Sequence, residues 1–540
     1  MLRPDRLGER RAVLIAAAAF LLIAWALQIW RLQTFTATLD QGILFQVLWN
    51  GLSGHLFEST LSSQLSTNVV HGGDLPTIGY HRLGQHFTPT LALWIPLVGL
   101  LGKWALPLLQ VTLIAAAGLV LHELARTRLQ PDLATWITLA FYGANAVIGP
   151  CLGNFTDLSQ LPICVFALLL GLERRWRWLT LLAALAIPWI REDTGVVLVG
   201  IGIWLGLRQR QRWPLALALI AYGGGWVVLV TNVLMPLFSA DNARRFMVEN
   251  FGQYLQGREQ ASSLDVLALV LGQPWVLLRE LISPPGATIA YLAGQGLPLA
   301  FIPFMALDSW LLMGLPLLGL LLAQGFNNPL SINIRYTYLV IPGLFAGTIF
   351  WWERHRHLFE NRRFRQLWRA SILLSLLFTI TSNPNRSLNW LIPDSVQPFV
   401  YRTPWEQWQH SQHVHQALRL IPNQASVAAN TPLIPHLAAR EAVVRFPDDL
   451  RYKTRDGQIQ SAEWIAVDTD YQWRYSAAFA GERKALRKSI RQLDALQRQY
   501  GVQRVSDGVV ILERDQPADP AATVALRVLL DQLRSKSQAD

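Results

Sequence analysis

Two cysteines in 540 residues, Cys151 and Cys164, are too few for a disulfide framework and lack metal-ligand spacing, so they read as packing residues. The two halves show no internal repeat of the kind common in transporters. The C-terminal tail contains no Gly-rich phosphate loop and no metal-ligand cluster. Acidic groups are absent from long stretches, and the chain has uncharged apolar runs at 12–30, 133–156, 213–240, 281–307 and 309–334. Runs of roughly 18 or more such residues argue for membrane-spanning helices. A composition that is 52% hydrophobic, with 22 Trp, agrees with this.

The net charge of +11 would suggest nucleic acid in a soluble protein. Here the basic residues cluster in short loops between apolar runs, which is how cytoplasmic loops are anchored, and a nucleic-acid partner is set aside. Arg3, Arg6, Arg10 and Arg11 precede the first run and hold the N-terminus inside. The run is long, with Trp25 and Trp30 toward its outer end, and reads as an uncleaved signal anchor.

Keeping basic loops inside predicts about eleven spans, near 12–30, 104–122, 133–150, 158–172, 178–190, 194–207, 213–236, 286–306, 309–326, 336–352 and 370–385. The apolar part of the first loop, 89–102, reads as interfacial, as does the amphipathic stretch 264–282, interrupted by Pro274. Residues 178–207 are expected to form a hairpin. In a single long helix, Arg191, Glu192 and Asp193 would sit in the bilayer at a cost of roughly 2.5–3.5 kcal/mol each.

The predicted architecture is a polytopic α-helical membrane domain over 1–385, with a long first outer loop (31–103) and an outer segment (239–282), followed by a soluble extracytoplasmic α/β domain over 386–540. In the tail, charged helical patterns at 405–420 and 482–499 alternate with β-rich runs at 425–428, 464–467 and 509–512. The expected location is the plasma (inner) membrane.

This topology puts Asp40, Asp157, Glu192 and Asp193 on one extracytoplasmic face. An acid at the mouth of an apolar helix is a functional candidate, although one that only solvates the helix end would look the same. Gly42 and the aromatic run after it suggest a turn feeding an interfacial helix.

Several motifs resemble the bacterial membrane proteins of domain of unknown function 2079. Asp40-Gln41-Gly42-Ile43-Leu44-Phe45-Gln46-Val47-Leu48-Trp49-Asn50 resembles the family's opening, and Gly84-Gln85-His86-Phe87-Thr88-Pro89 its Gly-x-His-Phe-Ser-Pro. Arg191-Glu192-Asp193 matches its Lys-Glu-Asp, and Ile421–Val427 and Pro435–Arg440 resemble its terminal motifs. The chain departs at Asn154-Phe155-Thr156-Asp157, where the family tends to carry an Asp-Phe-His-Pro-like motif, and at Asn333-Ile334-Arg335-Tyr336. The layout is in turn similar to the GT-C glycosyltransferases, which take sugars from polyprenyl-phosphate carriers; this is a fold-level analogy.

The resemblance implies transfer of a sugar from a polyprenyl-phosphate-linked donor to an extracytoplasmic acceptor. Asp40, Glu192 and Asp193 are the catalytic candidates, because glycosyl transfer needs a carboxylate to deprotonate or orient the acceptor. Gln41, Gln46, Arg82, His86, Asp157, Arg191, Arg335 and Tyr336 are the substrate-binding candidates. Arg335 suits a lipid phosphate. His86 could face a phosphate or, with His71, Asp74 and His81, a divalent ion, but the spacing is irregular and no metal ligand is assigned. For Arg191, Glu192 and Asp193 a salt-bridged turn is the competing reading. Pro435, His436 and Arg440 are the expected contact residues of the tail. A transporter or lipid flippase, or a non-catalytic envelope assembly protein, are the alternative functions.

Overall fold

The computed structural model describes residues 4–255, 257–323, 330–381 and 386–539. It is mostly helical, with a small sheet region toward the C-terminus. By length and composition, three helices among the described residues are able to cross a membrane: Gly8–Gln33, Pro89–Arg126 and Arg210–Leu237. Shorter apolar helices include Arg177–Ile190, Gly195–Arg208, Ser263–Gly272 and Leu307–Leu322. Their outward leucines, such as Leu182 and Leu271, are exposed, as a lipid solvent requires.

Residues 178–207 form two helices with a turn at 191–194, so the three adjacent charges lie outside any helix. Pro274 opens a second short helix, Pro274–Glu280, after Ser263–Gly272. Other expectations are corrected. Residues 89–102 are helical and are counted with Ala105–Arg126 in the candidate span Pro89–Arg126, but Gly102, at positive φ, ends the helix Ile95–Leu101 and parts the two pieces. The expected third span is two helices, Pro131–Tyr142 and Asn145–Cys151, parted where Ala144 turns extended. The expected eighth span is divided: Pro285–Gly296 ends near Leu297–Leu299, and Ala300 and Phe301, both at positive φ, redirect the chain before Ile302–Met305. Pro298 and Pro303 deny this region backbone donors that an unbroken helix needs. The expected ends of spans nine (326) and eleven (385) lie outside the described residues.

The chain divides into two compact units. The first comprises Met1–Ala26, Leu83–Leu91 and Pro107–Asn385. In it, side chains from separate basic loops meet. Arg128 donates to Glu173 (2.7 and 3.0 Å) and to Glu353 (3.0 Å), while Asp308 accepts from Arg208 at 2.7 Å and Arg354 at 3.2 Å. The loops after Arg126, Arg174, Arg208 and Arg354 therefore share one end of the helix bundle.

The second unit comprises Leu27–Arg82, Ala92–Leu106 and Arg386–Asp540, so the tail is joined by much of the expected first loop. Side chains of the loop bind the backbone of the tail: Gln46 and Thr60 donate to the carbonyls of Arg440 and Glu441, and the Arg445 N–H donates to Gln64 Oε1. Its sheet has strands β1 (Val427–Ala429), β2 (Val443–Arg445), β3 (Trp464–Asp468), β4 (Tyr500–Ser506) and β5 (Val509–Arg514), in the order β2-β1-β3-β5-β4. The first three pair in parallel and the last two add antiparallel. Every residue of β3 is buried, as expected for a central strand covered on both faces. Helices Ala480–Leu496 and Pro520–Ala539 supply Leu486, Ile490, Leu493, Leu526 and Leu530 to the same core as Ile465, Val467 and Leu512.

Candidate functional site

Within the first unit, the turn Arg191–Thr194 is built around a buried guanidinium. Arg191 is only 4% exposed and is held bidentately by Asp193, with Nε donating to Oδ1 at 2.9 Å and Nη2 to Oδ2. Asp193, expected to be catalytic, accepts from Arg191 with both oxygens, which fixes the turn. The Thr194 hydroxyl closes the turn on the Ile187 and Arg191 carbonyls.

Fixing Arg191 and Asp193 leaves Glu192 facing His86. Glu192 Oε1 lies 2.9 Å from His86 Nδ1, and its Oε2 accepts the Phe87 N–H at 2.9 Å. One proton lies between the imidazole nitrogen and the carboxyl. Burial raises the Glu192 carboxyl and Asp193 adds to this, while Arg191 and the Phe87 N–H oppose them; the balance pushes it up to about 7. A carboxyl poised there exchanges protons at neutral pH. Close approach fixes the loop that carries His86: a Cβ on Gly84 would collide with the backbone and side chain of Ser239. The Phe246 ring lies 5.1 Å from the His86 ring.

Asp157 opens a short turn after Thr156, whose hydroxyl donates to Asp157 Oδ1 at 2.9 Å. The other oxygen, Oδ2, is buried without a hydrogen-bond partner, and so is the Thr88 hydroxyl beside Phe87. Asp157 also attracts Arg191. Orphaned buried polar atoms are rare in folded proteins and are expected where a ligand supplies the missing bond. Tyr336, just before helix Thr337–Arg354, lies under two guanidiniums, Arg191 and Arg335, each 5.3 Å from its ring centre. The first unit therefore gathers His86, Asp157, Arg191, Glu192, Asp193, Arg335 and Tyr336.

Asp40, Gln41, Gln46 and Arg82 belong to the second unit. Asp40 is half-buried in the first turn of helix Leu39–Gly51, where the helix dipole favours an acid, and it attracts the buried Arg31. Gly42 sits inside this helix and not at a turn. Its missing Cβ makes room for Ile434, and the residues after it, Ile43 to Leu48, are buried in protein. Gln46, expected to bind substrate, is spent on structure: it donates to the Arg440 and Glu441 carbonyls and accepts from Ser59 (2.7 Å) and the Leu61 N–H (3.1 Å). Gln41 is 2% exposed, and Arg82 reaches the Ser62 hydroxyl at 3.4 Å. Asp74 pairs with Lys453 at 2.6 Å, and among the described residues no metal-ligand group includes His71, Asp74, His81 or His86.

The expected contact residues of the tail are internal. Arg440 is 5% exposed and caps the Pro422 and Ala425 carbonyls. His436 stacks on Phe35 (4.1 Å between ring centres), accepts from Lys103 at Nδ1 (2.8 Å) and donates from Nε2 to Leu32 O (2.9 Å). Burial, with Lys103 beside it, holds this ring neutral, well below the usual histidine range.

Sequence reading missed the constellation that the second unit does assemble. His410 Nε2 lies 3.0 Å from Asp468 and Nδ1 lies 2.7 Å from Asp507, while Asp470 pairs with Arg402 (3.1 Å) and Arg474 (2.8 Å). Burial opposes charging His410, but Asp468 and Asp507 outweigh it and push it up to about 9. His410, Asp468 and Asp470 offer ligand atoms within 4.8 Å of one another. The set fits a cation poorly, because Asp470 already carries two guanidiniums and both ring nitrogens of His410 donate. Three carboxylates face three cations, a self-neutral network. Four of its members, Arg402, His410, Asp468 and Arg474, line a cavity of about 170 Å³ with Tyr471, Tyr475, Asp394 and Asn389. Asn389 Oδ1 and Arg402 Nε, on two residues that line it, are buried without hydrogen-bond partners, one an acceptor and one a donor.

The family described as Predicted membrane protein (DUF2079) matches residues 29–511. The chain belongs to this family. Comparison with curated proteins gives no match. The match spans both units of this family member, including Asp40, His86, Glu192 and His410.

Proposed function

We propose that this membrane protein is a GT-C-like glycosyltransferase that moves a sugar from a polyprenyl-phosphate donor to an extracytoplasmic acceptor, in a bundle of about eleven spans of the plasma (inner) membrane with the N-terminus inside and the C-terminal domain outside. The observation that carries the reading is Glu192, a buried carboxyl poised near neutrality and fixed by His86 and the Phe87 N–H. Transfer forms a bond from the acceptor oxygen to the anomeric carbon as the bond from that carbon to the phosphate oxygen breaks. The acceptor proton goes to Glu192, and the polyprenyl phosphate leaves with the electron pair. Asp157 Oδ2 is free to take a sugar hydroxyl, and Arg335 supplies positive charge for the leaving phosphate. For Asp40 an acceptor-orienting role is carried over from the family resemblance. The cavity beside His410, with its unmet donor and acceptor, suits recognition of a hydroxyl-rich acceptor.

The test is transfer from radiolabelled polyprenyl-phosphate sugars by the full chain in proteoliposomes. Product is expected from the wild type and lost in Glu192→Gln; undiminished product from that variant overturns the assignment. Translocation of the carrier without any glycosidic product identifies a flippase instead.

A further inference from the structure

Helices Arg177–Ile190, Gly195–Arg208 and Trp213–Leu229 border an open groove of about 1160 Å³ in the first unit. That exceeds the ~300–1,000 Å³ of pockets for drug-sized ligands. One end is lined by Arg175, Arg177, Arg208, Arg210 and Arg212, and the walls by Leu181, Leu185, Leu215 and Leu219. No acidic residue lines it among the described residues. Two of the arginines are committed, Arg208 to Asp308 at 2.7 Å and Arg212 to the Leu172 carbonyl at 3.0 Å. Arg175, Arg177 and Arg210 are exposed and have no ion-pair partner among the described residues.

Two further features fix the level and depth of the cavity. Trp176, Trp178 and Trp213 are 54%, 77% and 60% exposed beside the arginine end, the signature of an aromatic belt at headgroup level. From Arg212 to Tyr222, which lines the cavity farthest along that helix, the rise is about 15 Å at 1.5 Å per residue. A bilayer's hydrocarbon core is about 30 Å thick, so the cavity is one leaflet deep. Anchoring of a loop by arginines needs no concavity. Here three uncompensated guanidiniums converge on an apolar groove sized for a chain from one leaflet.

We propose that this groove holds one anionic phospholipid, its phosphate at Arg175, Arg177 and Arg210 and an acyl chain along Leu181, Leu185, Leu215 and Leu219. Basic pockets between membrane helices recognise such headgroups through charge-assisted hydrogen bonds. The site is separate from Glu192 and does not depend on the proposed transfer reaction.

The experiment is native mass spectrometry and thermal stability of the delipidated full chain with phosphatidylglycerol, phosphatidylcholine or inorganic phosphate. Phosphatidylglycerol is expected to stay bound and raise the melting temperature, with phosphatidylcholine much weaker and phosphate alone without effect. Each arginine contributes roughly fivefold at an anionic surface, so the combined R175Q, R177Q and R210Q variant should lose about a hundredfold in affinity. Arg362→Gln with Arg363→Gln, in another basic loop, should change nothing. A bulky L219W fills the groove and should displace the lipid with all arginines intact. Equal binding of both lipids, full effect from phosphate alone, or retention by the triple variant overturns the proposal. The wild-type lipid comparison decides even if a variant fails to fold.

Discussion

Glu192 and His86 lie 2.9 Å apart although 106 positions separate them in the chain. The pair exists because Arg191 and Asp193 satisfy each other, which leaves the middle residue of the turn the only one of the three aimed at the loop carrying His86. Burial of that pair sets its chemistry, and the predictions start there.

Glu192→Gln keeps the shape of the side chain and removes the titrating group. Sugar transfer should fall by about 10²–10⁴-fold, the usual scale for a general base. The wild-type rate should rise with pH through about 7, where Glu192 loses its proton, and that limb should vanish from the residual activity of the variant. A pH–rate profile in proteoliposomes checks both.

Asp193→Asn should act on folding before chemistry. It strands the Arg191 guanidinium, which is 4% exposed, with its main counter-ion gone. Breaking a buried pair costs about 3–5 kcal/mol; because the Asp193 carboxylate is 40% exposed, about 1–3 kcal/mol is expected here. Thermal unfolding in detergent should show the loss, and Arg191→Met with Asp193→Asn should recover part of it.

The second unit should lose stability as pH rises. His410 has its folded pKa raised to about 9 from an ordinary 6.5, so its contribution is complete below about 6.5 and disappears on rising through 9. The span corresponds to roughly 3 kcal/mol. The pH dependence of unfolding, followed by hydrogen exchange in the strand Trp464–Asp468, should flatten in His410→Gln. A flat wild-type profile between 6.5 and 9 would show that the ring is not charged.

Gly42→Ala should destabilise the second unit by about 1–3 kcal/mol, the cost of overpacking. A methyl group there collides with the Ile434 side chain. Ile434→Ala should rescue Gly42→Ala, which separates close packing from a turn requirement. Denaturation of the single and double variants gives the coupling.

Local pattern carried much of this fold. Apolar runs located the helices Pro4–Gln33, Trp213–Leu229 and Thr337–Arg354, and short β-rich runs located the strands Trp464–Asp468 and Val509–Arg514. The cost of burying Arg191, Glu192 and Asp193 placed a turn at the right residues. Such readings succeed because burial and hydrogen bonding along a helix or strand are set by neighbours in the chain. They failed where a break depends on packing, as at Ala144 and at Ala300–Phe301.

Tertiary structure alone decided which of the candidates meet one another and which are tied to backbone. Gln46, His436 and Arg440 look like binding residues in sequence, but Gln46 and His436 meet backbone carbonyls brought from far along the chain, Arg440 meets those of the nearby Pro422 and Ala425, and Asp193 is taken by Arg191. Conversely, His410, Asp468 and Asp507 stand 58 and 97 positions apart from the histidine and offer no motif. A spacing rule registers only ligands on one helix or one loop. Groups drawn together by closing long loops around a core are visible only when the core exists: burial there raises the Glu192 carboxyl, and the carboxylates gathered around His410 raise its ring against burial.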